Sequence, residues 1–263
     1  MSLKSAQLLK SPDSVLVATV LTLVMLFTLS GMLAPAPDVV PPPPEIPESY
    51  AEFQATESKL YSQFNEELII RHFFKDKRGG VFLDVGCAFP KTNSTTCFLE
   101  AHRDWTGIGI DAVEDYGPLW EENRPNAKFF HYAVSDTSGE SLTFYQAAYP
   151  IISSMYEDQV MKHADKPPVP VQVETITLDD LLDRENVARI DFMSLDIEGA
   201  EPLALAGFEI ERFAPKLVCI EMHEGAENEQ FVRDYFEDHD YERIEAYVPY
   251  DFANWYFRPK EAA

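Results

Sequence analysis

Only three cysteines occur in the 263 residues, Cys87, Cys97 and Cys219. Thiols so few and so scattered exclude a disulfide framework and a cysteine-ligated zinc site, and those in apolar segments read as small buried hydrophobes. Positive charge is scarce too: 21 Lys and Arg against 45 Asp and Glu leave a formal net charge of −24. A surface that acidic repels phosphate backbones, so no nucleic acid is expected as a partner, and the ordinary use of such charge is solubility. Two glycine signatures are missing. After the run Val81-Phe82-Leu83-Asp84-Val85 the chain continues Gly86-Cys87-Ala88-Phe89. That is not the Gly-x-Gly-x-x-Gly turn of a nicotinamide-dependent dehydrogenase, and no Gly-Lys-Ser/Thr follows to make a P-loop. No internal repeat is visible, which excludes solenoids and propellers. What remains is 46% hydrophobic and 13% aromatic, enough for one substantial core and one catalytic domain.

Residues 1–14 form a short tail, and residues 15–33 read VLVATVLTLVMLFTLSGML, without a charge. At 1.5 Å per residue such a helix spans roughly 28 Å, close to the hydrocarbon thickness of a bilayer. It is expected to be a single-pass transmembrane anchor. A cleaved signal peptide is the competing reading, with Lys4 and Lys10 as its basic region, but Pro37 would follow a cut after Ala36. Residues 34–50 are a proline-rich linker that favours extended polyproline geometry, and residues 51–263 are the domain. Lys4 and Lys10 precede the span while Asp38, Glu45 and Glu48 follow it. The charge rule therefore puts the domain on the non-cytoplasmic side, whereas supply of a cytosolic cofactor favours the cytoplasm.

Within the domain, Asn65 is placed to cap a helix carrying Glu66 and Glu67 in its first turn, ended by Gly79-Gly80. Strands are expected at 81–85, 106–111, 128–133, 142–145, 190–195 and 216–222, with a closing pair at 241–247 and 254–258. Helices are expected at 94–103, 178–183 and 230–238. Alternating elements with uninterrupted apolar strands predict an α/β fold, a mainly parallel sheet with helices on both faces. Ligands then bind beyond the carboxyl ends of the strands.

Those ends carry the polar residues. The first closes on Asp84, Gly86 and Cys87, where a glycine turn lets a ligand approach the backbone. The second closes on Asp111, whose carboxylate suits the two hydroxyls of a ribose. The third closes on Ser135 and Asp136, which either line an adenine pocket or make an ordinary turn. The fourth runs Asp196-Ile197-Glu198-Gly199-Ala200-Glu201 and the fifth Glu221-Met222-His223. A period of two puts Asp196 with Glu198, and Glu221 with His223, on one side of neighbouring strands. Clustered carboxylates suit a general base or a divalent cation, and Glu201 is alternatively a cap for the next helix. Tyr149 to Tyr156 read either as a wall of the acceptor pocket or as a surface loop.

In their order, Tyr61-Ser62-Gln63, Phe82-Leu83-Asp84-Val85-Gly86, Leu99-Glu100, Trp105-Thr106-Gly107-Ile108, Thr177-Leu178-Asp179-Asp180-Leu181 and Asp196-Ile197-Glu198-Gly199-Ala200-Glu201 resemble the FkbM family of methyltransferases. The similarity extends over residues 61–258. It implies a Rossmann-like class I methyltransferase fold, S-adenosyl-L-methionine as cofactor, and O-methylation of a sugar, glycan or secondary metabolite. It assigns Asp84 and Gly86 to the methionine end of the cofactor, with Cys87 in the same turn, Asp111 to the ribose, and Ser135 and Asp136 to the adenine side. Asp196 and Glu198 would face methyl group and acceptor; Asp196, Glu198, Glu221 and His223 are the catalytic candidates, and no metal ligand set is assigned. Cys87-Ala88-Phe89-Pro90 departs from the further glycine that many members carry. The rival reading is a non-catalytic, membrane-tethered binding module on the same fold.

Overall fold

The computed structural model describes residues 59–222 and 228–261. The expected anchor, linker and tail, and His223, lie outside them, and among the described residues no helix is long and apolar enough to cross a membrane.

Ten strands and eight α-helices follow one another among these residues. Helix α1 (Glu66–Phe74) leads into β1 (Val81–Val85), α2 (Cys97–Arg103), β2 (Thr106–Asp111), α3 (Tyr116–Asn123) and β3 (Ala127–His131). Then come β4 (Ala133–Val134), β5 (Ser141–Gln146), α4 (Glu157–His163), β6 (Val169–Ile176) and α5 (Leu178–Arg184). The chain closes with β7 (Phe192–Leu195), α6 (Glu201–Ala206), α7 (Ile210–Phe213), β8 (Leu217–Glu221), α8 (Glu229–Asp238), β9 (Tyr241–Arg243) and β10 (Asn254–Pro259). The main sheet has the order β3-β2-β1-β7-β8-β10-β9, and β4-β6-β5 form a second, small sheet. Neighbours from β3 to β8 are parallel, whereas β10 runs antiparallel to both β8 and β9.

Alternation along each strand supplies both faces of the main sheet. Leu83, Val85, Met193, Leu195, Val218 and Ile220 pack with α5 to α8 on one side. Phe82, Phe192, Leu217, Cys219 and Tyr256 pack with α1, α2 and Trp105 on the other. All three cysteines are buried and free, as small hydrophobes should be.

Strands β1 and β2 occupy the expected residues, because each is an apolar run closed by glycine or acid. Four expectations are corrected. Helix α1 ends before Gly79-Gly80, at Lys75 with φ 51°; Gly80 instead leaves room for the Trp105 ring, which a Cβ there would meet at 2.7 Å. Asn65 holds the N-cap position without capping, its amide donating to the Tyr250 carbonyl. The Glu67 N–H instead donates to the Ser62 hydroxyl, and the Glu67 carboxylate accepts from the Leu60 and Tyr61 N–H groups. The strand expected at 128–133 divides at Tyr132, whose N–H donates to the Asp111 carbonyl, and its tail enters the small sheet. The closing strand expected at 241–247 stops at Arg243 and turns into a 3-10 helix.

Strand β6 was not foreseen. Pro170 hides it, yet lies where β6 pairs on one side only, since β4 reaches just Thr175 and Ile176.

Trp105 anchors the α1–α2 face: it is fully buried, its indole N–H donates to the Lys77 carbonyl, and Phe74 meets it edge-on. Trp105→Ala is expected to cost about 3–5 kcal/mol. A lower urea midpoint at unchanged m-value would show it; an unchanged midpoint would remove Trp105 from the core.

Candidate active site

The adjacent strands β2, β1, β7 and β8 deliver Asp111, Gly86, Asp196 and Glu221 to one rim of the sheet. The turn after β1 folds onto its neighbours. Gly86 and Cys87 donate their N–H groups to the Ile110 carbonyl, and Asp196 N–H donates to the Val85 carbonyl at 3.0 Å. Gly86 sits at φ +79°, and a Cβ there would lie 1.7 Å from the Asp196 carbonyl oxygen. Only glycine permits that approach. The next residues are held as tightly: Ala88, at φ 43°, donates its N–H to Asp111 Oδ2 at 2.9 Å and accepts the Trp120 indole N–H at 2.8 Å.

Asp111 is half-buried and also accepts the Val113 N–H at 2.8 Å. Burial lifts its carboxyl to about 6 against the pull of those two N–H donors. Asp84, by contrast, lies in register with Gly109 and Ser194, one step beneath the rim. Its carboxylate is only 4% exposed and accepts the Thr96 hydroxyl at 2.5 Å. Thr96 in turn accepts from Arg124, which is itself paired with Glu100. Cys87 is 4% exposed, and burial pushes its thiol well above the ordinary range; it packs rather than reacts. Ser135 and Asp136 are hydrogen-bonded to each other and lie beside Gly207, whose Cβ would meet the Ser135 carbonyl at 2.6 Å. The structure thus brings Gly86, Cys87, Asp111, Asp196, Glu198 and Glu221 to the rim, puts Asp84 beneath it, and sets Ser135 and Asp136 against the loop after α6.

Carboxylate oxygens of Asp196, Glu198 and Glu221 lie within 4.8 Å of one another. Glu198 takes φ 55° and Gly199 φ 97°, which turns the chain back before α6. Glu201 enforces that turn by accepting the Ile197 and Gly199 N–H groups, while Asn228 donates to its other oxygen. Ser154 donates its hydroxyl to the Glu198 carbonyl, and Gln159 of α4 packs on Gly199. The segment between β5 and β6 therefore meets the acidic loop. Tyr149 and Tyr156, at 45% and 39% exposure, stand open on it.

Crowding by protein atoms, then the charges of Glu221, Glu198 and Glu201, push the Asp196 carboxyl well above its ordinary range. Solvent reaches Asp196, so like-charge repulsion is the durable part of that push. Carboxylates this close either share a proton or hold a cation between them.

The description "Methyltransferase FkbM domain" matches residues 84–243, more than half of the chain. The chain belongs to the FkbM methyltransferase family. Its seven-stranded order, with β10 reversed, is the Rossmann-like fold that the resemblance implies. No curated protein matches the sequence. Among solved structures, similarity reaches a TehB-like SAM-dependent methyltransferase from Corynebacterium glutamicum, 14% identical, with TM-score 0.40 over 80% of this chain and 94% of that one. A Burkholderia thailandensis 1,6-didemethyltoxoflavin-N1-methyltransferase with bound S-adenosylhomocysteine is 12% identical, with TM-score 0.40 over 98% and 94%. A Bacillus cereus O-methyltransferase in complex with SAH is also 12% identical, with TM-score 0.39 over 91% and 89%.

The donor that membership of the FkbM methyltransferases implies is S-adenosylmethionine, and the residues fit it. A carboxylate-lined rim complements a sulfonium and an ammonium, and Asp111 faces the turn where a ribose would lie. Helix α3 belongs to this site and was not foreseen. Its only sequence signal is the spacing of Tyr116 and Trp120, which puts both on one face.

Burial raises the Glu201 carboxyl from 4.5 to about 7. A proton is therefore bound more tightly in the folded chain, so stability from Glu201 is full below about 4.5 and is lost as pH rises through about 7. Urea midpoints for Glu201→Gln should lack that decline relative to wild type. An identical pH slope in the two proteins would mean that Glu201 ionises freely in the fold.

Proposed function

We propose that this FkbM methyltransferase transfers a methyl group from S-adenosylmethionine to a hydroxyl of a sugar, glycan or secondary metabolite. The observation that carries the reading is the convergence of Asp196, Glu198 and Glu221, ligand atoms within 4.8 Å, two to three strands from the ribose-side acid Asp111.

When bound, S-adenosylmethionine supplies an already activated methyl group on a sulfonium. The chain's own task is to align the acceptor oxygen with it and to take the acceptor's proton. Asp111 holds the ribose hydroxyls, and the Gly86–Ala88 backbone carries the methionine end. Asp84 acts beneath that turn by fixing Thr96 at the start of α2, and Ser135 and Asp136 serve the adenine side. One of Asp196, Glu198 and Glu221 accepts the proton; the raised pKa of Asp196 makes it a stronger base than an ordinary carboxylate. His223, outside the described residues, is a further candidate base. Tyr149 and Tyr156 offer open aromatic faces to an acceptor. Positioning is worth roughly 7–11 kcal/mol and proton removal roughly 10²–10⁴-fold, so alignment dominates.

The same reading tethers the domain to a membrane through residues 15–33, with the proline-rich linker as spacer. Extraction of the full chain by alkaline carbonate, without detergent, would remove the anchor.

In calorimetry, Asp111→Ala should weaken S-adenosylhomocysteine binding at least tenfold, the loss of one charge-assisted hydrogen bond or more. Unchanged affinity would detach Asp111 from the cofactor. Asp196→Asn, Glu198→Gln and Glu221→Gln should all retain the affinity, and the one that removes the base should lower turnover on a glycan panel by roughly 10²-fold or more. Activity abolished by chelation and restored by a divalent cation would assign the three carboxylates to metal binding in place of proton transfer.

A further inference from the structure

We propose that Tyr116 is a donor-binding residue, its phenol hydroxyl hydrogen-bonding the ribose hydroxyl that Asp111 also holds. The inference rests on the S-adenosylmethionine reading above and names a residue that the motifs do not.

Tyr116 opens α3 and is 2% exposed. Its hydroxyl is buried, and among the described residues no group hydrogen-bonds it. Buried phenol hydroxyls normally find a partner, because burial strips them of water. The backbone that carries this one is fixed by a closed circuit around Asp111. Asp111 Oδ1 accepts the Val113 N–H at 2.8 Å, and the Val113 carbonyl accepts the Tyr116 N–H at 3.3 Å. On the other side, Asp111 Oδ2 accepts the Ala88 N–H, and the Ala88 carbonyl accepts the Trp120 indole one helical turn beyond Tyr116. Phe89 meets the Tyr116 ring edge-on at 5.0 Å. The ring therefore cannot swing away to water.

Electrostatics point the same way. Burial first, then the charges of Asp111, Cys87 and Tyr149, hold the phenol far above its ordinary range. It is a permanent donor beside an acid that only accepts. A ribose hydroxyl suits both, giving its proton to Asp111 and accepting the phenol's proton on its oxygen. An aliphatic group in that place would leave Tyr116 unpartnered, so the pair selects a ribonucleoside over a deoxynucleoside.

Tyr116→Phe keeps the ring and removes only the hydroxyl. Calorimetry on full-length protein with S-adenosylhomocysteine and its 2′-deoxy and 3′-deoxy counterparts tests the inference. Roughly tenfold weaker binding of the ribose compound in Tyr116→Phe is expected, with no further loss for whichever deoxy compound lacks the shared hydroxyl. The ligand-free variant should melt no lower than wild type, since the hydroxyl has no partner to lose. Equal affinities of the two proteins for S-adenosylhomocysteine would overturn the Tyr116 role and leave the donor reading standing. An equal loss on all three compounds would move the contact from ribose to base. A lower melting temperature without ligand would make the hydroxyl structural. If wild type binds none of the three, the donor reading itself falls, and the Tyr116 inference with it.

Discussion

The site depends on the Asp111 carboxylate acting as the anchor for a turn that belongs to another strand. Ala88 and Val113 both donate to it, so the loop leaving β1 and the loop leaving β2 are tied to one side chain. Gly86 and Cys87 add their N–H groups to the Ile110 carbonyl next door. With those four donors engaged, the turn needs no second glycine. Cys87-Ala88-Phe89-Pro90 is tolerated because Trp120 braces Ala88 in a left-handed conformation.

That solution concentrates negative charge at the open end of the sheet. At the rim Asp111 is lifted toward neutrality by burial and Asp196 is crowded by like charges, while the buried Asp84 and Glu201 behind it are lifted by burial as well. Such a rim is poorly stable by itself, since each acid would ionise more readily in the unfolded chain.

The buried layer beneath the rim has a different task. Asp84, Thr96, Arg124 and Glu100 form a chain of charge-assisted bonds from β1 through α2 to α3. Arg124 also reaches the Pro90 carbonyl at 2.9 Å. This chain fixes the far end of the same turn, so the loop is supported from below as well as from its edge. The sequence presents Asp84 and Asp111 as equivalent acids closing equivalent strands. Their levels in the sheet separate them: Asp84 stands level with Gly109, two residues short of Asp111.

Local chemistry alone determined a good deal. Apolar runs closed by glycine or acid marked β1 and β2 to the residue, whereas the period of two did not bring Asp196 and Glu198 together: β7 ends at Leu195, and a left-handed turn at Glu198 does so instead. Tertiary structure decided which of those acids face the cleft, because that depends on strand register and on what each neighbour already donates. It also decided the small sheet, where Pro170 is harmless only because β4 stops short of it. Helix α3 was hidden for a related reason: Gly117 and Pro118 break its apolar pattern. The packing of Tyr116 and Trp120 against Phe89 and Ala88, which stabilises it, is made across the chain. Periodicity records what a segment buries, and only the folded neighbours settle what that segment is buried against.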